Sequence, residues 1–293
     1  MAEVAGGAAT GGGADVRVAV LGRGVVPAGA PVLRGDDLGA LQGDGLFETM
    51  HVRGGRPWLR DEHLARLARG AARIGLPLPP AGVLAGLLEE VCAGWPVDAE
   101  GALRLVCTRG PEGGGPPSAH ATLAGLPVAA RQARRGGISV ATLPLGVAAT
   151  ARPALGWLPV GVKSTSYAVS AAARRWVAGH GVDDALWVST DGYALEGPTA
   201  NVVWVAGRAL CTVPADATGI LPGVTAAWLL GHAAELGLTA EERMVTPAGL
   251  RAADGVWLTS SLRGLAPVHT LDGVRLPRSA HTDAAQALLA HPR

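Results

Sequence analysis

Lysine is almost absent from this chain of 293 residues: Lys163 is the only one, against 24 arginines. Arginine covers salt bridging and anion binding, but its guanidinium stays protonated and offers no nucleophilic amine. Lys163 is therefore the one side chain that can form an imine with a carbonyl. A compositional drift from lysine to arginine would also leave one lysine by chance, so its surroundings have to decide.

Other absences narrow the field further. Cysteine is scarce: Cys92, Cys107 and Cys211 are odd in number, widely spaced and free of any CxxC, so neither a disulfide framework nor a zinc site is indicated. The eight histidines form no HxH or HxxxH pair, so no protein-bound metal is expected. Net charge is +1, and no basic run exceeds a pair (Arg134-Arg135, Arg174-Arg175), which argues against nucleic acid and against an anionic membrane. No apolar stretch has the length that spans a bilayer. Residues 1–15 are Gly/Ala-rich and lack the basic start and apolar stretch of a signal peptide. They read as a disordered lead to a cytoplasmic protein.

What is present is a globular composition, 48% hydrophobic and 17% charged, long enough for one large or two ordinary domains. Extended apolar residues open the chain at Val16–Leu21, and a Gly-Asp-Gly turn at 43–45 leads into another such run. Leu64, Leu67, Ala71 and Ile74 recur at spacings of three and four, which predicts a helix from about Asp61, its expected N-cap. A second helix is expected over 81–93 and a strand over 103–108. The Arg-rich residues 129–137 read as a linker between a small α/β domain, 16–128, and a larger one, 138–293. In the second half, strands are expected at 138–143, 185–189, 201–205 and 256–259, and helices at about 168–178, 224–236 and 247–252. The expected class is α+β.

Lys163 sits in Val160-Gly161-Val162-Lys163-Ser164-Thr165-Ser166-Tyr167. Downstream come Glu196-Gly197-Pro198-Thr199-Ala200-Asn201, then Gly219-Ile220-Leu221-Pro222-Gly223-Val224-Thr225, then Thr259-Ser260-Ser261. The second of these is a glycine-rich turn opening a helix, where backbone amides and the helix dipole favour an anion. Upstream lie Gly43-Asp44-Gly45-Leu46-Phe47-Glu48, His63-x-x-Arg66-Leu67, with Arg66 off the apolar stripe, and Thr108-Arg109-Gly110. Taken singly, each has an ordinary structural role: a solvated turn charge, a surface arginine, a capped strand end. Together and in this order they resemble the fold-type IV family of pyridoxal-phosphate enzymes, which includes branched-chain and D-amino-acid aminotransferases and 4-amino-4-deoxychorismate lyases. The resemblance spans about residues 35–270.

The resemblance implies a two-domain α+β enzyme, a homodimer with its active site between the domains, that binds pyridoxal 5'-phosphate and a small-molecule amine. Lys163 would carry the cofactor as a Schiff base and then move protons. Glu196 would face the pyridine nitrogen and keep the ring an electron sink. Arg66, Val224, Thr225 and Ser261 would hold the phosphate, with Thr199 nearby, and Tyr167 would bond the ring 3-oxygen. Arg109 would take a substrate carboxylate, with Phe47 beside the substrate. Asn201 reads as structural. Many family members carry arginine where this chain has Ala226, which weakens any carry-over of substrate class. Phe47 and the segments around Trp157, Lys163 and Trp257 resemble the lyase branch. The expected reaction is therefore release of pyruvate and p-aminobenzoate. An amino-acid transaminase is the alternative, and a degenerate binding protein the second.

Overall fold

The computed structural model describes residues 16–290, so the expected lead, residues 1–15, lies outside the described residues. Residues 17–125 build an antiparallel sheet from β1 (Arg17–Val20), β2 (Gly24–Val26), β3 (Gly45–Arg53), β4 (Arg56–Pro57), β5 (Gly101–Thr108) and β6 (Ser118–Gly125). Their order is β2-β1-β6-β5-β3-β4. The helices in this half are α1 (Leu38–Leu41), α2 (Arg60–Ile74) and α3 (Ala81–Cys92).

Strand periodicity decides which side chains can reach the site. In β3, Leu46, Met50 and Val52 point into a core shared with Leu64 and Leu67 of α2 and Leu84 and Leu88 of α3. Phe47, Thr49 and His51 point to the opposite face. Glu48 falls on the core face and is fully buried, so its carboxylate needs partners inside the protein.

Helix α2 begins one residue before its expected cap. Leu59, in the left-handed region at φ 53°, precedes it with no side-chain cap, and Asp61 lies inside the first turn, bonded to Arg60. There Asp61 and Glu62 favour the positive helix end. Gly75, at φ 61°, closes the helix in a conformation glycine adopts freely.

The residues read as a linker, 129–137, fold largely as α4 (Val128–Gly136). Ala130 and Ala133 are buried, and Arg131 and Arg134 both pair with Glu100. The polar composition there reflects these ion pairs.

The second half is a nine-stranded sheet flanked by helices. It comprises β7 (Ile138–Pro144), α5 (Ala168–Gly179), β8 (Asp184–Val188), β9 (Glu196–Gly197), β10 (Ala200–Ala206), β11 (Ala209–Thr212), α6 (Ala215–Thr218) and α7 (Val224–Gly231). A 3-10 turn (Ala233–Leu236), β12 (Thr239–Glu242), α8 (Pro247–Arg251), β13 (Gly255–Ser260), β14 (Gly264–Leu271), β15 (Val274–Arg275) and α9 (Thr282–Ala290) complete it. The main path runs β12-β11-β10-β13-β14-β7-β8, with β9 pairing β10 and β15 pairing β14. Strand β10 is buried on both faces: Val202 and Trp204 enter one apolar layer, Val203 and Val205 the other. Three elements carry no strong signal in the sequence. Small residues dominate β6, Pro267 interrupts the pattern of β14, and α9 is alanine-rich.

Candidate active site

Lys163 is lashed to the first sheet. The Phe47 amide donates to the Lys163 carbonyl at 2.9 Å, the Thr165 amide donates to the Gly45 carbonyl at 2.9 Å, and Ser164 bridges Leu46. The Thr165 hydroxyl donates to the Gly43 carbonyl at 2.8 Å. Gly45 packs so closely that a Cβ there would lie 2.8 Å from the Cys107 carbonyl oxygen. The Gly-Asp-Gly-Leu-Phe run and the Lys163 segment therefore form one structural unit, although 116 residues of sequence separate Phe47 from Lys163.

The amine lies 4.4 Å from the Phe47 ring centroid and 5.7 Å from that of Tyr167. The two rings meet edge to face at 5.2 Å. Among the described residues no carboxylate forms an ion pair with the amine. Burial, reinforced by Arg66, draws its pKa down to about 8, against the pull of Glu48 and Glu196. At pH 7.5 roughly a quarter of the amine is then neutral, where a free lysine would be about a thousandth neutral. The rate at which the cofactor-free protein captures an aldehyde should rise with pH and level off above about 8. Stopped-flow absorbance measures this, and a profile still climbing steeply to pH 10 would contradict the buried amine.

Glu196 and Asn201 face each other across β9 and β10, and both reach the loop ahead of α7. The Leu221 amide donates to the two Glu196 oxygens at 3.2 and 3.1 Å, and Asn201 Nδ2 donates to the Leu221 carbonyl at 2.8 Å. Burial raises the Glu196 carboxyl to about 7, moderated by the Leu221 amide and by Arg152. A cationic ring nitrogen opposite it would restore the charged form.

Helix α7 starts at Gly223, where a Cβ would lie 1.9 Å from Asn201 Oδ1, so only glycine fits. Two residues on, within the first turn, Thr225 is buried and its hydroxyl has no hydrogen-bond partner among the described residues. Its position at a helix N-terminus, beside the first-turn amides that have no partner within the helix, is the donor arrangement a phosphate uses. Ala226 is buried against the apolar layer that includes Trp58 and Leu229, an environment that favours the small apolar residue.

Arg66, off the apolar stripe of α2, is buried all the same. Its Nε and Nη2 donate to Glu48 at 2.8 and 2.6 Å, and its Nη1 donates to the Pro222 carbonyl at 3.1 Å. Arg66 thus ties the first sheet to the loop that carries Leu221. The same Glu48 holds His63 Nδ1 at 2.7 Å, and His63 Nε2 lies 3.2 Å from Ser261 Oγ. Arg66 and His63 hold the Glu48 carboxyl down at about 2, against the pull of burial.

The structure thus brings Lys163, Phe47, Tyr167, Glu196 and Arg66 into one neighbourhood, with Ser261 joined to Arg66 through His63 and Glu48. Tyr167 donates its hydroxyl to the Pro198 carbonyl at 2.8 Å. Thr199 accepts from Arg263 at 3.1 Å, and Arg263 in turn is bound to Asp184 at 2.6 Å. Arg109 is fully engaged elsewhere: it pairs with Asp44 at 2.5 Å and caps the carbonyls of Ile74 and Gly75 at the end of α2. Arg104, which the sequence reading passed over, is a second cation near the Phe47 ring. Arg104 pairs with Thr49 across the strands, so it shares the face of Phe47. Its guanidinium carbon lies 5.5 Å from the Phe47 centroid, it is exposed, and among the described residues no ion pair or hydrogen bond holds it. The alternation Leu103-Arg104-Leu105 places it off the core face, a signal that was available in the sequence.

The chain is similar to known proteins over most of its length. The family described as amino-transferase class IV matches residues 45–271. The bifunctional aminodeoxychorismate lyase / D-amino acid transaminase of Mycobacterium tuberculosis is 40% identical over 263 residues, covering 87% of this chain and 91% of that protein. The D-alanine aminotransferase of Bacillus licheniformis is 30% identical, covering 81% and 82%. Among solved structures, the pyridoxal-phosphate-bound form of a hypothetical aminotransferase from Mycobacterium tuberculosis superimposes with a TM-score of 0.89 at 39% identity, covering 94% of this chain and 98% of that one.

Proposed function

Because this chain belongs to the class IV aminotransferase family, and is thereby a pyridoxal-phosphate enzyme, we propose that it is a 4-amino-4-deoxychorismate lyase. The residues fit the cofactor: an unpaired buried amine, a carboxylate beside it, and an orphaned hydroxyl at a helix start. In this reading Lys163 binds the aldehyde and Glu196 faces the pyridine nitrogen. Arg66, Val224, Thr225 and Ser261 surround the phosphate, with Thr199 behind them. Tyr167 flanks the ring. Bound pyridoxal phosphate supplies an electron sink that acidifies the C–H of an amine joined to it.

Lys163, freed as an amine when the substrate amine takes its place on the aldehyde, would then take the proton from the amine-bearing ring carbon. That electron pair forms the new ring double bond as the neighbouring C–O bond breaks, and enolpyruvate leaves. Lys163 would hand a proton to the methylene carbon of enolpyruvate, giving pyruvate, and would then displace the aromatic p-aminobenzoate by retaking the aldehyde. Phe47 offers an apolar face to that ring in place of a polar contact.

The observation that carries this reading is the free guanidinium of Arg104. It and the Lys163 amine share the Phe47 ring as neighbour, so the two cations lie no more than about 10 Å apart. A carboxylate across a six-membered ring from an amine sits roughly 6 Å from it, and a guanidinium–carboxylate pair adds about 4 Å. We therefore assign the substrate carboxylate to Arg104, with Arg109 as a brace between Asp44 and α2. Replacing Arg104 with alanine should raise KM about 10- to 100-fold with a smaller change in kcat, the loss of one charge-assisted pair.

The lyase reading is tested by supplying aminodeoxychorismate with no keto acid. Stoichiometric p-aminobenzoate and pyruvate are expected. If the coloured enzyme releases neither but exchanges amino groups between a D-amino acid and a keto acid, it is a transaminase. We further propose a cytoplasmic homodimer. Val169 and Trp176, seven residues apart on one face of α5, are exposed apolar residues, as is Trp157 ahead of Lys163. Light scattering at twice the chain mass is the expected result.

A further inference from the structure

Arg66, Glu48, His63 and Ser261 form one hydrogen-bonded line from the core of the first sheet to the end of β13. The direction of each proton along it can be worked out. Glu48 is held ionised and only accepts, so the proton of its 2.7 Å bond with His63 belongs to Nδ1. A neutral imidazole then carries no proton on Nε2, which must accept. The 3.2 Å contact to Ser261 is therefore a bond that Ser261 donates. Its hydroxyl proton faces away from any ligand.

The charges facing His63 are Glu48 from β3, Arg66 from its own helix, and Lys163 from the segment ahead of α5. Burial, Arg66 and Lys163 all favour the neutral ring, and Glu48 opposes them. One further negative charge nearby would join the side of Glu48 and favour the charged ring.

A phosphate dianion accepts hydrogen bonds and donates none. A Ser261 hydroxyl whose proton is committed to His63 presents only lone pairs to it, which repel. The conflict is resolved if Nε2 gains a proton, since it can then donate to Ser261 Oγ and free the hydroxyl proton to turn toward the phosphate. We propose that His63 is the protonation switch of the phosphate subsite: neutral with its proton on Nδ1 while the subsite is empty, doubly protonated at Nδ1 and Nε2 once a phosphate dianion docks. The proton comes from solvent, and no bond to carbon changes. Glu48 and His63 are positioning residues in this scheme, acting on the ligand through Arg66 and Ser261. The inference rests on the reading that Ser261 faces the cofactor phosphate.

The test is two-bond proton–nitrogen correlation spectroscopy on full-length protein with nitrogen-15 histidine, at pH 7.5. The chain has eight histidines, and His63→Gln assigns the signal; if that variant does not fold, Ser261→Ala assigns it by shifting the nearest imidazole. The cofactor-free protein should show the pattern of a neutral ring protonated at Nδ1. Saturation with pyridoxal phosphate should move Nε2 from the unprotonated to the protonated position. Pyridoxal, which can react with Lys163 but lacks the phosphate, should leave it unmoved. Calorimetry in two buffers of different ionisation enthalpy should show about one proton fewer taken up per site by His63→Gln than by wild type. A merely structural histidine would keep its charge and tautomer in all these states. If the protein takes up pyridoxal phosphate, with the expected colour, and the His63 pattern does not change, the switch is overturned while the cofactor site stands. If no colour appears, the reading of the site itself fails.

Discussion

Lys163→Ala should purify as a folded protein that has lost the cofactor absorbance reducible by borohydride, with turnover lower by about 10^4-fold or more. The fold should survive because Lys163 makes no ion pair and is tied down by its backbone, through the Phe47 amide and the Leu46–Ser164 bridge. Burial disfavours its charge, drawing the pKa to about 8, so the protonated amine contributes a penalty to the folded state at neutral pH. Removing it should leave the melting temperature unchanged or slightly raised. Lys163→Arg sharpens the result. It restores a cation but no nucleophilic amine, so it should be as inactive as the alanine variant. Full activity in either variant would refute the assignment of the site.

The largest stability effect is expected at Glu48. The carboxylate is completely buried and accepts from both Arg66 and His63. Its removal leaves a buried guanidinium without its counter-charge, a change that costs about 3–5 kcal/mol in comparable buried pairs. Glu48→Ala should therefore lower the melting temperature well beyond any surface substitution and weaken retention of pyridoxal phosphate through a displaced Arg66. Glu48→Gln keeps the shape and one acceptor and should fall between the two. The pH dependence has a definite sign. The carboxyl is depressed from 4.5 to about 2 in the folded protein, so its contribution is fully present above about 4.5 and disappears as pH falls toward 2. Acid unfolding of Glu48→Gln should be correspondingly flatter across that window. Thermal melts of the three proteins at pH 7 and pH 3 measure both effects, and identical melting temperatures at pH 7 would show that the pair contributes nothing.

The parts of the fold that were legible are those whose signal is local. The stripe Leu64, Leu67, Ala71 predicts α2, and alternation or unbroken apolar runs predict β5, β7, β10 and β13, all close to where they form. The boundaries and elements that escaped depend on distant partners. Residues 129–137 look like a linker until Glu100 appears beside Arg131 and Arg134. Strand β14 is interrupted by Pro267, whose place in the sheet is set by Trp257 opposite it.

The sequence by itself pointed to the chemistry. A single lysine among 24 arginines is the one side-chain amine able to form an imine, and a Gly-rich helix start with hydroxyls at a strand end, taken in family order, resembles a phosphate site. Only the tertiary structure decided which charges are free to act. Arg66 lies off an apolar stripe and is nonetheless buried, since Glu48 arrives from another strand to pair with it. Arg109 carries a motif and is nonetheless occupied by Asp44, while Arg104 carries none and is free beside Phe47. Charge pairing is a property of distance in space, and β3, β5, α2 and the Lys163 segment are brought within that distance only when the two sheets meet.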